Sequence, residues 1–505
     1  MTESPVPDRS MFVHAPVFID KSVHGTLAAR YTDGMSDWTP RLIVLACFVL
    51  ILGLPFVFRP EAAEVPADAL RLVVITPHNE QIRYETEQAF SRWHQAHHGR
   101  PVVIDWRAIG GTSDIERQLI SEYAGLLEEG RMDDGVGYDI VFGGGDYFFE
   151  SKLKAGVGGK HTILERLDFD DEFMRSVYPE PTIADVRLYD KDRMWYGVVL
   201  SSFGIAYNND LLQLRDLPTP TTWSDLNDYR YFMGVALADP SHSGSIRVTY
   251  DAILQRYGWQ RGWQTLRRVC ANARYFSAYS SQVPVDVSQG DAIAGMCIDF
   301  YGRYQAEVIA ASTGHDRIGY IAPADATVVT PDPVAVLRGA KHHDLAVKFV
   351  RWLLSENGQK LWCYRRGVEA GPERFELRRP PVRRDMYTPD RMAHMVDAVN
   401  PYELAHPRPE GTPSYFTIVP TVLHAMAMDV HDQLKAAWSA IQNTDDPAFR
   451  TELLEDFDAL PFTQEELLAA PARWKKDPAA KTEDRLAWTA FFREKYEKII
   501  TKASR

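Results

Sequence analysis

The stretch Leu70–Glu80, LRLVVITPHNE, decides how the rest of the chain is read. An apolar, mostly β-branched run (Leu72, Val73, Val74, Ile75) stops at Thr76-Pro77, and His78, Asn79 and Glu80 come directly after it. Buried parallel strands have this form, a continuous apolar run closed by a turn. From Gln81 to His98 the apolar residues Ile82, Ala89, Phe90, Trp93 and Ala96 recur at helical spacing. His78 and Glu80 are therefore expected where a first strand ends and a helix begins. In open α/β sheets that carboxyl edge is where ligands bind.

The same unit recurs downstream. Pro101–Trp106 (PVVIDW) reads as a second strand, ending in the turn Gly110-Gly111-Thr112-Ser113-Asp114. A helix from about Asp114 to Glu129 carries Ile115, Leu119, Ile120, Ala124 and Leu127 on one side, and Asp114 and Glu116 suit the dipole at its start. Tyr138–Phe142 is a third strand, closed by Gly143-Gly144-Gly145-Asp146. Three strand–loop–helix units in series predict a doubly wound parallel sheet, an α/β fold.

A second unit comes next. Trp195–Asn208 reads as two short strands around Ser201-Ser202. Gly234–Ala238 is a strand running into Asp239-Pro240-Ser241-His242-Ser243-Gly244-Ser245, where a long helix starts, and Gly290–Asp299 is another that ends in Asp299-Phe300-Tyr301. Arg317–Pro323 and Val334–Leu337 return the chain to the first unit, and Leu345–Leu354 is an amphipathic helix stopped by Asn357-Gly358. After Pro380 only helical patterns remain, at Phe416–Leu434 and Trp488–Ile500, the second with Thr482 as its candidate cap.

Composition narrows the function. With 505 residues the chain exceeds one ordinary core, and its 45% hydrophobic and 25% charged residues are those of a folded protein. A formal charge of −13 without any Lys/Arg-rich run argues against nucleic acid as a partner. Cys47, Cys270, Cys297 and Cys363 show no metal-ligand spacing; Cys270–Cys297 is one candidate disulfide, and reduced packing cysteines fit equally well. His94, His97 and His98 share a helix face without a strand-end partner, so a metal role is not expected of them.

Leu42–Phe58 carries no charge and is bounded by Arg41 and Arg59. As a helix it would run about 26 Å, close to a bilayer core of about 30 Å. It reads first as a signal-anchor transmembrane helix; a cleaved signal peptide and a lipoprotein signal at Cys47 are the alternatives, and all three export the residues from about 60 onward. The expected organisation is a disordered 1–41, in which Met35 is a second candidate start, a transmembrane helix at 42–58 and a spacer at 59–69. Lobe 1 covers 70–180 with 325–380 returning to it, lobe 2 covers 181–324, and a helical extension at 381–505 lies on lobe 1.

Four loops stand at strand ends, two from each lobe, and together they predict a clamshell with a ligand in its crevice. The candidate contacts are His78, Asn79, Glu80, Gly111, Thr112, Ser113, Asp114, Gly144, Ser243, Gly244, Ser245, Asp299 and Tyr301. Ser243-Gly244-Ser245 and Gly111-Thr112-Ser113 open helices, where N–H groups and hydroxyls can cradle an anion. Alternatively, His78, Glu80, Asp114, Asp299 and Tyr301 can gather as hard oxygen and imidazole ligands for a metal.

Seven blocks in order (the PHNE strand end, GGTSD, YDIVFGGG, FGIAYNND, ADPSHSGS, QGDAIAGMCIDFYGR and FVRWLLSENGQKLW) resemble the extracellular solute-binding proteins of ABC importers, nearest to their ferric-ion-binding subgroup. The resemblance covers about Leu70–Pro381. It implies a two-lobe, periplasmic-binding-protein-like clamshell, ligand capture by hinge closure, and an ABC-importer permease as partner. Taken with the apolar run Leu42–Phe58, the expectation is a cell-membrane, single-pass protein whose folded part is extracytoplasmic. By position, His78 matches the subgroup's iron-binding histidine and Asp114 falls near its carboxylate ligand; with Asp299 and Tyr301 they make the candidate metal set, with Fe(III) as cargo. The adjacent tyrosine pair of that subgroup is missing, because Asp299-Phe300-Tyr301 stands there. A small anionic, phosphorylated or carboxylated metabolite is thus an equal expectation. A sensor built on the same clamshell is an alternative function. A hydrolase using His78 and Glu80 is another, but G-x-S-x-G, HExxH and Walker motifs are absent, and no catalytic residue is expected.

Overall fold

The computed structural model describes residues 39–57, 68–324 and 326–505. Most of the expected disordered segment 1–41, and nearly all of the 59–69 spacer, lie outside the described residues. Thr39–Val57 is a helix whose apolar side chains from Leu42 to Leu52 are exposed. Its side chains are described from Arg41 to Leu54, a run of about 21 Å. Among the described residues no helix is long and apolar enough to cross a membrane. The transmembrane helix expected at 42–58 is therefore not supported.

Pro66–Arg505 forms one compact body. In it β1 (Leu70–Ile75) pairs in parallel with β2 (Val102–Arg107) on one side and β3 (Ile140–Phe142) on the other. A two-residue ladder, β4 (Thr182–Ile183) with β5 (Val186–Arg187), leads into β6 (Tyr196–Asn208). The second half contains β7 (Val235–Ala238), β8 (Ala273–Ser277), β9 (Ala294–Ile298) and β10 (Ile318–Ile321), and β11 (Val329–Val336) returns to the first. The sheet order is β2-β1-β3-β11-β6-β9-β7-β8, with β10 beside β6. The parallel neighbours β2-β1-β3 and β9-β7-β8 are the two α/β lobes.

Two strands tie the lobes together. Tyr196–Ser202 of β6 pairs antiparallel with β11, while Phe203–Tyr207 pairs antiparallel with β9. The two short strands expected around Ser201-Ser202 are thus one continuous strand that changes partners at that point. Serines suggested a turn, but here side chains satisfy them: Arg379 donates to Ser201 Oγ (2.8 Å), and Ser202 N–H donates to Asp299 (2.8 Å).

The helices flank the lobes. Leu72, Val74, Phe90, Phe349, Leu353 and Trp362 share one lobe 1 core; Ile75, Ile115, Leu119 and Phe149 form a second on the other face of the sheet. Asn357-Gly358, expected to stop the Leu345 helix, instead lies inside the next one, Glu356–Cys363, because Ser355 accepts from Gly358 N–H and caps a fresh start. The helix Gly244–Ala271 breaks at Gly258 (φ 76°), a left-handed backbone that glycine tolerates.

The C-terminal extension departs from expectation. Residues 381–405 stay on lobe 1 through Val382, Tyr402 and Leu404. The helices His431–Gln442, Pro447–Asp458, Gln464–Lys476 and Pro478–Ala503 pack instead on lobe 2. Trp438, Phe457, Phe492 and Tyr496 share its core with Trp263, Leu266 and Val269 of the Gly244 helix. That helix is buried nearly all round, so one face meets the sheet and the other needs cover. Arg267, fully buried, fastens the contact by donating to Phe457 O (2.6 Å). The last helix starts at Pro478 under an Asp477 cap, not near Thr482. All four cysteines are free thiols, so Cys270 and Cys297 are not bridged.

Candidate functional site

A cleft of about 560 Å³ opens between the lobes, within the usual range for small-molecule sites. Its lobe 1 wall contains His78, Asn79, Gly111, Thr112, Ser113 and Gly144. Its lobe 2 wall contains Ser243, Gly244, Ser245 and Tyr301. Three expected contacts lie elsewhere. Glu80 is exposed and lines a neighbouring groove. Asp114 turns back to accept from Gly111 N–H (3.1 Å), capping its own helix. Asp299 is fully buried, accepting from the N–H groups of Ser202 and Phe300, and burial raises its carboxyl above the ordinary value.

Two helix N-termini face each other across this cleft. A Cβ placed on Gly111 would lie 3.6 Å from His242 O, and one on Gly244 would lie 3.8 Å from Thr112 Oγ1. Gly111 precedes the helix Thr112–Glu128, and Ser243 caps the helix Gly244–Ala271 by accepting from Ile246 N–H. The first turns of both helices therefore direct their N–H groups and positive dipole ends into one space. Ser243, Ser245 and Ser280 form a hydroxyl chain beside it, at 3.1 and 2.7 Å. Such a space suits a phosphate or a carboxylate.

His78 faces inward. Its Nε2 is 2.9 Å from Asp332 Oδ2, which also accepts from Arg379 Nη1 (2.6 Å), while Asp332 Oδ1 accepts from Gly144 N–H (2.8 Å). Burial alone would raise the Asp332 carboxyl, but Arg379 and His78 outweigh it and hold it far below the carboxylate range. Arg379 is 2% exposed and also holds Ser201 at the point where β6 changes partners. The cluster thus ties β1, β11, β6 and the segment after Leu377 together at the hinge.

The metal set expected from position is not gathered. His78 is engaged by Asp332, Asp114 by its own helix and Asp299 by Ser202; only Tyr301 is left along the cleft. Among the described residues no group of three or more His, Cys, Asp or Glu side chains is placed to hold a metal ion. His94 and His97 instead bond backbone oxygens of Arg100 and Trp93.

Several cleft residues lie outside the sequence-derived set. Four cations and three carboxylates line it: Lys152, Arg247, Arg379 and Lys481, against Glu116, Asp146 and Asp332. Lys152 pairs with Glu116 (2.8 Å) and Arg379 with Asp332, and burial pushes Asp146 up to about 6. Among the described residues neither Arg247 nor Lys481 forms an ion pair with a carboxylate. Arg247 is placed one turn into its helix, a spacing visible in SGSIR. Lys481 and Phe416 come from the extension, and no local pattern marks them as cleft residues.

Known proteins resemble parts of this chain. Residues 145–378 match the family model described as bacterial extracellular solute-binding protein. A segment of 164 residues, 32% of the chain, is 32% identical to the phosphoglycerate transport regulatory protein PgtC of Salmonella typhimurium, and the match spans 39% of that relative's length. A Haemophilus influenzae protein is 25% identical over 165 residues, covering 32% of this chain and 46% of its own. Among solved structures, fructose-6-phosphate-bound AfuA from Actinobacillus pleuropneumoniae is 17% identical, with 62% of this chain and 85% of that chain covered at a TM-score of 0.46. Iron-bound HitA from Pseudomonas aeruginosa is 21% identical, with 66% and 95% covered at a TM-score of 0.43.

Proposed function

From a chain that carries a bacterial extracellular solute-binding domain, we propose an extracytoplasmic receptor that captures a small phosphorylated or carboxylated solute for an ABC-importer permease. The observation that carries this is the close approach of two helix N-termini, with the hydroxyls of Ser243 and Ser245 at one of them. Phosphoglycerate, in the relative's name, belongs to the same ligand class. Ligand bound between the lobes would draw them together about β6 and β11 without chemical change, so the protein works as a binder. In this reading the apolar run at 42–58 tethers the receptor to the membrane. Ferric iron is disfavoured, because His78, Asp114 and Asp299 are already committed to protein partners.

Thermal-shift screening of the full chain tests the proposal. Phosphate esters and phosphorylated carboxylic acids at about a hundred times their Kd should stabilise it by about 2.7 kcal/mol, a rise of a few degrees in Tm. A panel in which Fe(III) alone shifts the transition would defeat the anion reading, and a panel without shifts would defeat the receptor. A sensor that reports occupancy is the second reading, favoured by the word "regulatory" in the relative's name. Co-purification with a permease supports the importer role; co-purification with a signalling protein alone supports the sensor.

A further inference from the structure

Part of the cleft is lined by the C-terminal extension, which lies beyond the family match at 145–378, through Phe416, Thr417, Pro420 and Lys481. Phe416 packs against Tyr147 of lobe 1 in a tilted arrangement, 4.1 Å between ring centroids, and Tyr147 Oη is 3.4 Å from Thr417 Oγ1. The Arg247 guanidinium of lobe 2 also lies over the Phe416 ring, 5.0 Å from its centroid. Extension residues therefore bridge both lobes at the cleft mouth.

The charges there are out of balance. Arg247 spends its hydrogen bonds on carbonyls, Pro240 O (2.7 Å) and Ser241 O (3.4 Å), and forms no ion pair among the described residues. Burial lowers its pKa and outweighs Glu116 and Asp239, which favour its charge only from a distance. Lys481 is exposed at the mouth, and its pKa falls through partial desolvation and repulsion from Arg247, Lys152 and Arg485. Lys152 and Arg485 are each neutralised, by Glu116 and by Asp429. Two cations that line one cavity and have no ion-pair partner among the described residues are arranged for an anion that arrives from outside.

The anion site between the helix N-termini is one turn of the Gly244 helix away from Arg247, so the cleft offers two anion-binding regions in series. We propose that Lys481 and Arg247 bind a second anionic group of the ligand, so that the preferred solute carries two anionic groups and its selection depends on the extension. The inference rests on the anion-receptor reading above and deepens it.

Isothermal titration of the full chain with matched probes tests it. The pairs are glycerol 3-phosphate against 3-phosphoglycerate, and fructose 6-phosphate against fructose 1,6-bisphosphate. In the wild type at least one two-anion member should bind about tenfold or more tighter than its partner, the scale of one charge-assisted contact. Lys481→Gln should narrow that preference to within about threefold, while Lys476→Gln, on the neighbouring helix and away from the cleft, should keep it. Ser243→Ala should weaken both members of a pair in similar proportion. Equal affinities within both wild-type pairs, or a preference intact in Lys481→Gln, would overturn the second region and leave the receptor reading standing. Failure of all four probes to bind the wild type would overturn both.

Discussion

At the scale of single residues, Asp332 is the centre of the hinge. It binds Arg379, His78 and the Gly144 amide at once, and each of these belongs to a different part of the chain. Asp332→Asn would leave the Arg379 guanidinium buried without its counter-charge, and loss of one partner from such a pair costs about 3–5 kcal/mol. Urea unfolding should show that loss, while His78→Ala should cost only about 1–2 kcal/mol. Equal effects would refute the assignment of the aspartate as the centre. The pH dependence has a definite sign. Because the folded-state pKa of Asp332 is depressed, its contribution is complete above the ordinary carboxylate value and is lost as pH falls toward the folded one. Sequence placed His78 at the strand end and in the cleft. Its commitment to Asp332, 254 positions away, was not legible, because nothing local signals a partner brought in by another strand.

At the scale of elements, the start of the Gly244 helix lines the cleft from lobe 2, and the extension holds it. His424 Nε2 contacts Ser241 Oγ (3.0 Å) and Asp239 Oδ1 (3.3 Å), and Asp429 carries a two-pronged bond from Arg485. The bond to Asp239 raises the His424 pKa above its ordinary value, outweighing the opposing effect of burial. A raised pKa means the stabilisation is complete below about 6.5, the unfolded value, and disappears as pH rises through the folded one. Amide-exchange protection factors for Ser241–Ser245 should accordingly fall as pH rises above about 6.5 in the wild type and stay level in His424→Gln. Protection that is constant with pH in the wild type would refute the coupling. The helix itself was legible from its Ser-Gly-Ser opening. The helices Pro447–Asp458 and Gln464–Lys476 were not anticipated, although Asp446-Pro447 and the Thr463–Glu466 capping box mark their starts and Leu467, Ala470 and Trp474 keep helical spacing.

At the scale of the whole molecule, two α/β lobes joined through β6 and β11 form the clamshell, with a helical layer added to lobe 2. The net charge of −13 leaves anion attraction to local groups, and in the cleft Arg247 and Lys481 have no ion-pair partner among the described residues, which is where the proposed anion would be held. The proposed tether belongs to this scale too. Membranes from expressing cells, washed with alkaline carbonate, should retain the full chain and release a chain that starts at residue 60. Release of both would remove the tether from the proposal and leave the cleft untouched.

The sequence by itself determined the alternation of strands and helices, the loops at the carboxyl ends of β1, β2 and β7, and hence the two-lobe class. These depend on apolar period and turn residues, which are local quantities. Only the tertiary structure decided what each loop residue does. It turned Asp114 and Asp299 into structural acceptors, made one strand of Tyr196–Asn208, and carried the extension from the expected lobe 1 to lobe 2, where Lys481 reaches the cleft. The physical reason is the same throughout: a buried charge or an uncovered helix face takes the partner that the fold brings near, and that partner can be hundreds of residues away.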